Sequence, residues 1–513
     1  PPTYSDYDII GWDRELGSNI DIGAYENTDI IYVDENVSGG NGSSWANAYG
    51  NLQDALDAAF DRFTEVNEIW VAEGTYYPDI DTIDNDGDGF LEHTLSNRGE
   101  YFFMNNMEIY GGFEGNGGNS GTAHDWKNNT TTLSGDIGTL YDDTDNSYHV
   151  VGINADVVMK GFNITGGNAD GSGMASKGGG IYYPWLGDVV IAECKIHDNK
   201  AVDGGGMYMD DFSDMFIVKD CVFVDNTASG DGGGVYCNDI DNAIDGSGFH
   251  ECFFIGNAAS GDGGGMYIYD AAGNARGDVS VRNCVFYDNE AYNGGGVANV
   301  GDGFGWFVNC TFAENSVNAS GAGTSMYNYL DSRAWVRVIN SIMYNDTTPG
   351  ASHIYNDTNQ GSDGYAVVSY SDIQGSGGSD NWNSGFGLDV GGNVDCDPGF
   401  ISNSNVYGSD GELGTSYDGL LARNYKLVDA ADGNSASFSD IAGRIRKDDG
   451  YKANSGLGVI NYADMGAYEA GANGDDDDDD DGDDPIIVEN IDVVVMCFVD
   501  ESYHENDAYF NDN

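Results

Sequence analysis

Apolar residues in this chain come in short runs rather than long stretches. "CVFV" at Cys221 and "GMYI" at Gly265 are typical, rich in Val, Ile, Phe and Tyr, with no helical spacing over a dozen residues. Gly and Asn follow each run, so the pattern reads as short strands joined by turns. The exception is one amphipathic helix, predicted over about Asn51 to Phe63, with Leu52, Ala55, Leu56, Ala59 and Phe60 on one face.

The runs recur. "CKIHDNKAVDGGGMY" begins at Cys194, "CVFVDNTASGDGGGVY" at Cys221, "CFFIGNAASGDGGGMY" at Cys252, "CVFYDNEAYNGGGV" at Cys284 and "CTFAENSVNASGAG" at Cys310. The cysteines lie 27, 31, 32 and 26 residues apart, and the triplets starting at Gly178, Gly204, Gly232, Gly263 and Gly294 lie 26, 28, 31 and 31 apart. Such a period marks a solenoid, and two or three strands per repeat is the length of one coil of a parallel β-helix. The predicted fold is all-β: a right-handed parallel β-helix with the helix as its N-terminal cap, coils running from about Glu68 to about Phe400, and an irregular end over residues 400–469.

In such a stack each repeated residue becomes a column with a spacing of about 4.8 Å. The Cys column (Cys194, Cys221, Cys252, Cys284, Cys310, then Ser341) is predicted to be small inward filling. No CxxC is present for zinc, and parallel Cβ vectors disfavour disulfides, so free thiols are expected. The Asn column (Asn199, Asn226, Asn257, Asn289, Asn315) is expected at a turn with its amides bonded to one another. The glycines supply positive φ and close backbone passage at a corner. Cys237, Cys396 and Cys497 fall outside the column.

Composition narrows function. Nineteen basic against 87 acidic residues give a formal net charge of −68, a field that repels phosphate backbones and favours bound cations, so no nucleic-acid partner is expected. No run of 18 apolar residues offers a membrane span.

The order of parts resembles the right-handed β-helix proteins of bacterial surfaces that carry polymorphic outer-membrane-protein-type repeats. The resemblance rests on "IYVDENVSGGNGSSWANAYGNLQDAL", "EIWVAEGTYYPD", "MEIYGGFEG", "LSGDI", "DNSYHVV", the "GGG" and "FxxN" repeats and "DMGAYE", across most of residues 30–469. It implies a secreted or surface-displayed, often adhesive protein. The acidic insert near Asp84 and the segments at both ends depart from the family pattern.

Residues 6–26, "DYDIIGWDRELGSNIDIGAYE", rhyme with residues 440–469. Residues 1–28 are therefore either the end of a preceding unit in a tandem array or an arm that exchanges with the next copy by strand addition. Residues 29–470 form the β-helix domain. Residues 471–485, with their aspartate run, read as a solvated linker, and residues 486–513 as a strand-like tail or the start of a next domain.

The sharpest chemical motif is "DIDTIDNDGDGFLEH", Asp79 to His93. Asp84, Asp86, Asp88, Gly89, the Phe90 carbonyl and Glu92 occupy the first, third, fifth, sixth, seventh and ninth places of a calcium loop. Leu95 stands at the twelfth place instead of Glu, and Asp81 is a further oxygen donor. A structural Ca2+ site is expected, with a solvated acidic turn as the alternative. For polysaccharide chemistry, Arg276, Arg282, Arg333 and Arg337 show no convergent spacing, and Asp210–Asp211 is an unspecific carboxylate pair. The sequence thus favours a non-enzymatic extracellular structural or adhesive module, calcium-stabilised and joined end to end with copies of itself into fibres or arrays. Contacts through residues 1–28 and 486–513 would make those joins. Surface carbohydrate is a second candidate partner, and a carbohydrate-binding or lyase-like protein is the alternative reading.

Overall fold

The computed structural model describes residues 29–470 apart from 62–65, 79–97, 100, 117–123, 185–186, 211–214, 239–246, 271–277, 302–303, 331–334, 349, 359–363, 449–453 and 459. The expected calcium loop, the N-terminal segment, the linker and the tail lie outside the described residues.

Four sheets, each wholly parallel, build the chain into a β-helix of 12 (sheet 1), 10 (sheet 2), 6 (sheet 3) and 9 strands (sheet 4). One coil shows the path: Phe216–Lys219 in sheet 1, Val222–Val224 in sheet 2, Thr227–Ala228 in sheet 3, Val235–Asn238 in sheet 4, then Gly248–His250 back in sheet 1. The coil turns in the right-handed sense of parallel crossovers. The strand that the sequence pattern left out is the one in sheet 3, whose two residues are too few to show a period.

Stacking brings the repeats into register, with Val222 beside Phe253, then Val285, Thr311 and Ile342. Inside, Phe223, Phe254, Phe286 and Phe312 form a column with ring centroids 5.0, 4.6 and 4.7 Å apart and planes within 5°. Leu52, Ala55, Leu56 and Ala59 of the helix Leu52–Asp61 close the N-terminal end of this core. Phe60 departs from the expected face: it lies about 80° round the helix from Leu52, at the edge of the buried arc, and is 55% exposed. At the other end, Phe386 plugs the core, with Trp382 packed beside it.

The columns do what small polar and glycine residues allow. The five Asn side chains are fully buried. Asn226 Nδ2 donates to Asn257 Oδ1 at 3.0 Å and to the Ile196 carbonyl at 2.9 Å, and the pattern repeats coil after coil. Each Cys Sγ lies within 3.5 Å of the carbonyl two residues before it, and Ser341 substitutes a hydroxyl for the same bond. The column therefore needs a donor as well as a small residue. Among the described residues all seven cysteines are free, and Cys237 is buried in the core through sheet 4. In each triplet the first glycine takes the positive φ, as at Gly232 with 69°. The second is set by space: a Cβ on Gly233 would lie 2.5 Å from the Gly264 carbonyl oxygen.

Residues 398–470 add no further coil. They turn back along the outside of sheet 2, where Val406, Leu420, Leu421, Ile441 and Ala467 cover Val224, Phe253, Ile255 and Val285. Among the described residues no helix is long and apolar enough to cross a membrane.

Candidate functional site

The corner between sheets 1 and 2 is turned by a residue in the left-handed region, one place before each Cys. Glu193, Asp220, Glu251, Asn283, Asn309 and Asn340 occupy it with φ between 50° and 55°. Asn and Asp tolerate this backbone better than most residues. This column changes character half-way along the stack, and its two halves have different chemistry.

The first half is a row of carboxylates. Beside it on sheet 1 stand Lys160, Ala192, Lys219, His250 and Arg282, in register on successive strands. Lys219 Nζ lies 3.6 Å from Asp220 Oδ2, and His124 Nδ1 lies 3.8 Å from Glu193 Oε2. Burial, reinforced by Asp220, raises the Glu193 pKa. Burial likewise raises Asp220 against the pull of Lys219, and pushes Glu251 up to about 7. The Lys219 pKa is raised as well: burial works against the charged ammonium, but the nearby Asp220 and Glu251 outweigh it. Of this row, Glu251 is the member that can hold and release a proton near neutrality. The row does not converge on a metal: among the described residues no group of three or more His, Cys, Asp or Glu is placed to hold one.

The second half holds the returning C-terminal segment. Asn283 Nδ2 donates to the Ser439 carbonyl at 2.9 Å, Asn309 Nδ2 to the Asp464 carbonyl at 2.9 Å, and Asn340 Nδ2 to the Asp432 carbonyl at 2.9 Å. The segment is locked by a buried ion pair, Arg446 Nη1 to Glu469 Oε2 at 2.7 Å, while Arg446 Nη2 donates to Asn283 Oδ1 at 3.2 Å. Asp440 accepts from Arg444 and from the Glu469 backbone N–H, and Tyr468 donates to Asp418. This is a clasp, and "RIR" and "DMGAYE" are its working parts.

Two aromatic surfaces bear on carbohydrate binding. On the outside of sheet 4, His149, Tyr182, Tyr208, Tyr236 and Tyr267 follow one another with centroids 4.7 to 6.1 Å apart. Their ring faces cover each other, so the faces a sugar would stack on are already occupied. The other surface lies on sheet 1. The Arg337 guanidinium sits 4.4 Å from the Trp306 ring and 5.7 Å from that of Trp335. Trp335 and its register neighbour Tyr365 are each 41% exposed.

Of the sequence-predicted residues, Asp81, Asp84, Asp86, Asp88, Phe90 and Glu92 lie outside the described residues, as do Arg276, Arg333 and Asp211. Arg282 and Arg337 stand two strands apart in sheet 1 and in different rows, so they do not converge. The carboxylate row escaped the sequence reading because its members are 27 and 31 residues apart and each looks like an ordinary turn acid. Its signal was available one place before each Cys. No protein-family model matches the chain, and no curated protein matches it.

Proposed function

We propose that this chain is a structural and adhesive β-helix module of an extracellular surface, of the polymorphic-repeat kind that its sequence resembles. It is stabilised by calcium and assembles with copies of itself. The observation that carries this reading is the uninterrupted Asn ladder from Asn199 to Asn315, which ties each coil to the next inside the core. A solenoid cross-linked in this way resists bending and shear, as a surface spacer must. The tyrosine column adds to it: its rings stack on each other rather than offering a row of open faces to a polymer. Direct test is by sedimentation and electron microscopy of the purified chain with and without a calcium chelator, together with binding to immobilised glycans and surfaces. Calcium-dependent oligomers or fibres are the expected result. Monomers under every condition, combined with turnover of a polysaccharide, would replace this reading.

A second reading, carbohydrate binding, is favoured by exposed Trp335 and Tyr365 beside the half-buried Arg337 on sheet 1. Trp335→Ala and Arg337→Ala would then each weaken glycan binding without changing the fold.

A further inference from the structure

Arg337 differs from the other arginines that the fold draws in from solvent. Among the described residues Arg98 pairs with Asp170 and donates to two carbonyls, Arg282 donates to Ser280 and to the Ser435 carbonyl, Arg444 pairs with Asp440, and Arg446 pairs with Glu469. The half-buried Arg337 guanidinium has neither an ion pair nor a hydrogen bond there; its contacts are the Trp306 ring at 4.4 Å and the Trp335 ring at 5.7 Å. Its register neighbours on the two adjacent strands, Trp306 and Val367, are uncharged. In a chain with 87 acidic residues the one arginine of this kind sits where no carboxylate reaches it. The rings fix the cation through their π faces and leave its planar fork of N–H donors for an oxygen acceptor.

Register lays out the surface around it. Trp335 and Tyr365 stand side by side on the strands Trp335–Ile339 and Tyr365–Ser369, both exposed. Arg337 lies two residues on from Trp335, on the same face, and Val367 and exposed Leu388 continue its row. With strands about 4.8 Å apart and alternate residues about 6.7 Å apart, the patch covers about 10 Å by 7 Å, on the scale of a disaccharide.

The chemistry of the patch selects its occupant. Phosphate polymers carry a charge on every unit and meet the field of a chain of net charge −68. A neutral glycan uses the aromatic pair and leaves the guanidinium without an acceptor. A uronate uses both: the apolar face of its ring rests on an aromatic side chain, and its carboxylate takes the guanidinium fork. At physiological salt the field of the whole chain is screened beyond about 8 Å, so a short acidic segment reaches the site.

We propose that Trp335, Arg337 and Tyr365 form a binding site for a uronate-bearing glycan, the sugar resting on the aromatic pair and its carboxylate held by Arg337. This rests on the carbohydrate-binding reading above and names its ligand class.

The test is calorimetric titration of the full chain, at about 0.15 M salt, with a uronic-acid trisaccharide, its methyl ester and a sulfated trisaccharide without carboxylates. The ester keeps the ring and removes the charge. The free acid is expected to bind at least about tenfold more tightly than the ester, because a charge-assisted fork is lost. Arg337→Gln should bring the acid down to the affinity of the ester, and Trp335→Ala should weaken acid and ester alike. Arg337→Lys, which keeps the charge without the fork, should recover only part of the preference. Equal binding of acid and ester by the native chain overturns the uronate assignment and leaves the carbohydrate reading standing; no binding of any of the three sugars removes both. Tighter binding of the sulfated sugar, or a preference for the acid that survives Arg337→Gln, also overturns the assignment. Should Arg337→Gln lose its β-sheet circular dichroism, Arg337→Lys decides: an acid-to-ester ratio unchanged from the native chain overturns the proposal, and a reduced one supports it. Self-association measured by sedimentation on the same variants gives the last arm: its loss in Arg337→Lys with sugar binding unchanged would make the patch a contact between copies and overturn the glycan site.

Discussion

The backbone N–H of Asn315 donates to Asp346 Oδ1 at 3.0 Å, so the amide ladder ends on a carboxylate where every earlier coil presents another asparagine. The opposite oxygen of Asp346 accepts from Ser325 Oγ at 2.6 Å and lies 2.9 Å from His353 Nδ1. Burial works to lower the His353 pKa, but the Asp346 charge and the bonds to Asp346 and Gln374 outweigh it, and the net shift is upward. The arrangement is not a nucleophile triad, since Ser325 and Asp346 share Nδ1 and Gln374 takes Nε2.

A group whose folded pKa is raised contributes stability that is complete below its unfolded value and lost as pH rises through the folded value. His353→Gln should therefore destabilise the chain by about 3–5 kcal/mol in mild acid, where it leaves the buried carboxylate unpaired. The difference from the native chain should shrink as pH rises above the ordinary histidine value of about 6.5. Urea unfolding of both proteins across pH checks this. A difference independent of pH would show that the imidazole stays neutral.

Glu251 gives a second pH dependence of the same sign. Its folded pKa of about 7 stands above the ordinary 4.5, so between these values the folded state holds the extra proton and stability falls as pH rises. Asp262, raised to about 6, and Asp372, raised to about 7, act in the same direction, burial being the main cause in each. The thermal midpoint should therefore be higher in mild acid than in mild alkali. Glu251→Gln should flatten that slope and raise the midpoint on the alkaline side.

The interior columns predict large and separable losses. Phe254→Ala opens a cavity in the stacked ring column and should cost about 3–5 kcal/mol. Asn257→Leu orphans the buried Asn226 N–H, at about 1–3 kcal/mol, and takes one donor each from the Phe223 carbonyl and from Asn289 Oδ1, which keeps the backbone N–H of residue 257. Denaturant titration of the two variants, with the slope compared to the native chain, measures both. A loss below about 1 kcal/mol for Asn257→Leu would mean that the ladder is not what joins the coils.

Sequence carried the repeated interior and not the surfaces the repeats create. Cys, Asn and Gly recur at fixed offsets because each answers a backbone requirement that every coil repeats, so stacking could be read from letters alone. Glu193, Asp220 and Glu251 obey the same geometry, yet a carboxylate beside a turn is so common that nothing marked them until the coils placed them in one row. The clasp was legible as a motif and not as a contact. Arg446 meets Asn283 across 163 residues, and no periodicity encodes that distance. Phe60 shows the converse limit, since an apolar residue at the edge of a helical stripe is assigned by pattern to a face that the core does not reach.

Calcium is the remaining prediction, and its sign can be made diagnostic. The insert containing Asp84, Asp86 and Asp88 links the sheet 2 strand Gly74–Tyr76 to the sheet 4 strand Phe102–Met104, so ordering it would tie together two faces of the first coils. With Asp81 and Glu92, five carboxylates gather within 12 residues. Without a cation they repel one another, and Asp86→Asn together with Asp88→Asn should raise the thermal midpoint in chelator. With calcium at a hundredfold excess over its dissociation constant the native chain should gain about 2.7 kcal/mol, and the variant should gain far less. The order of the two proteins therefore inverts between chelator and calcium. Equal gains in both would assign the effect to general screening of a surface of net charge −68 rather than to this loop.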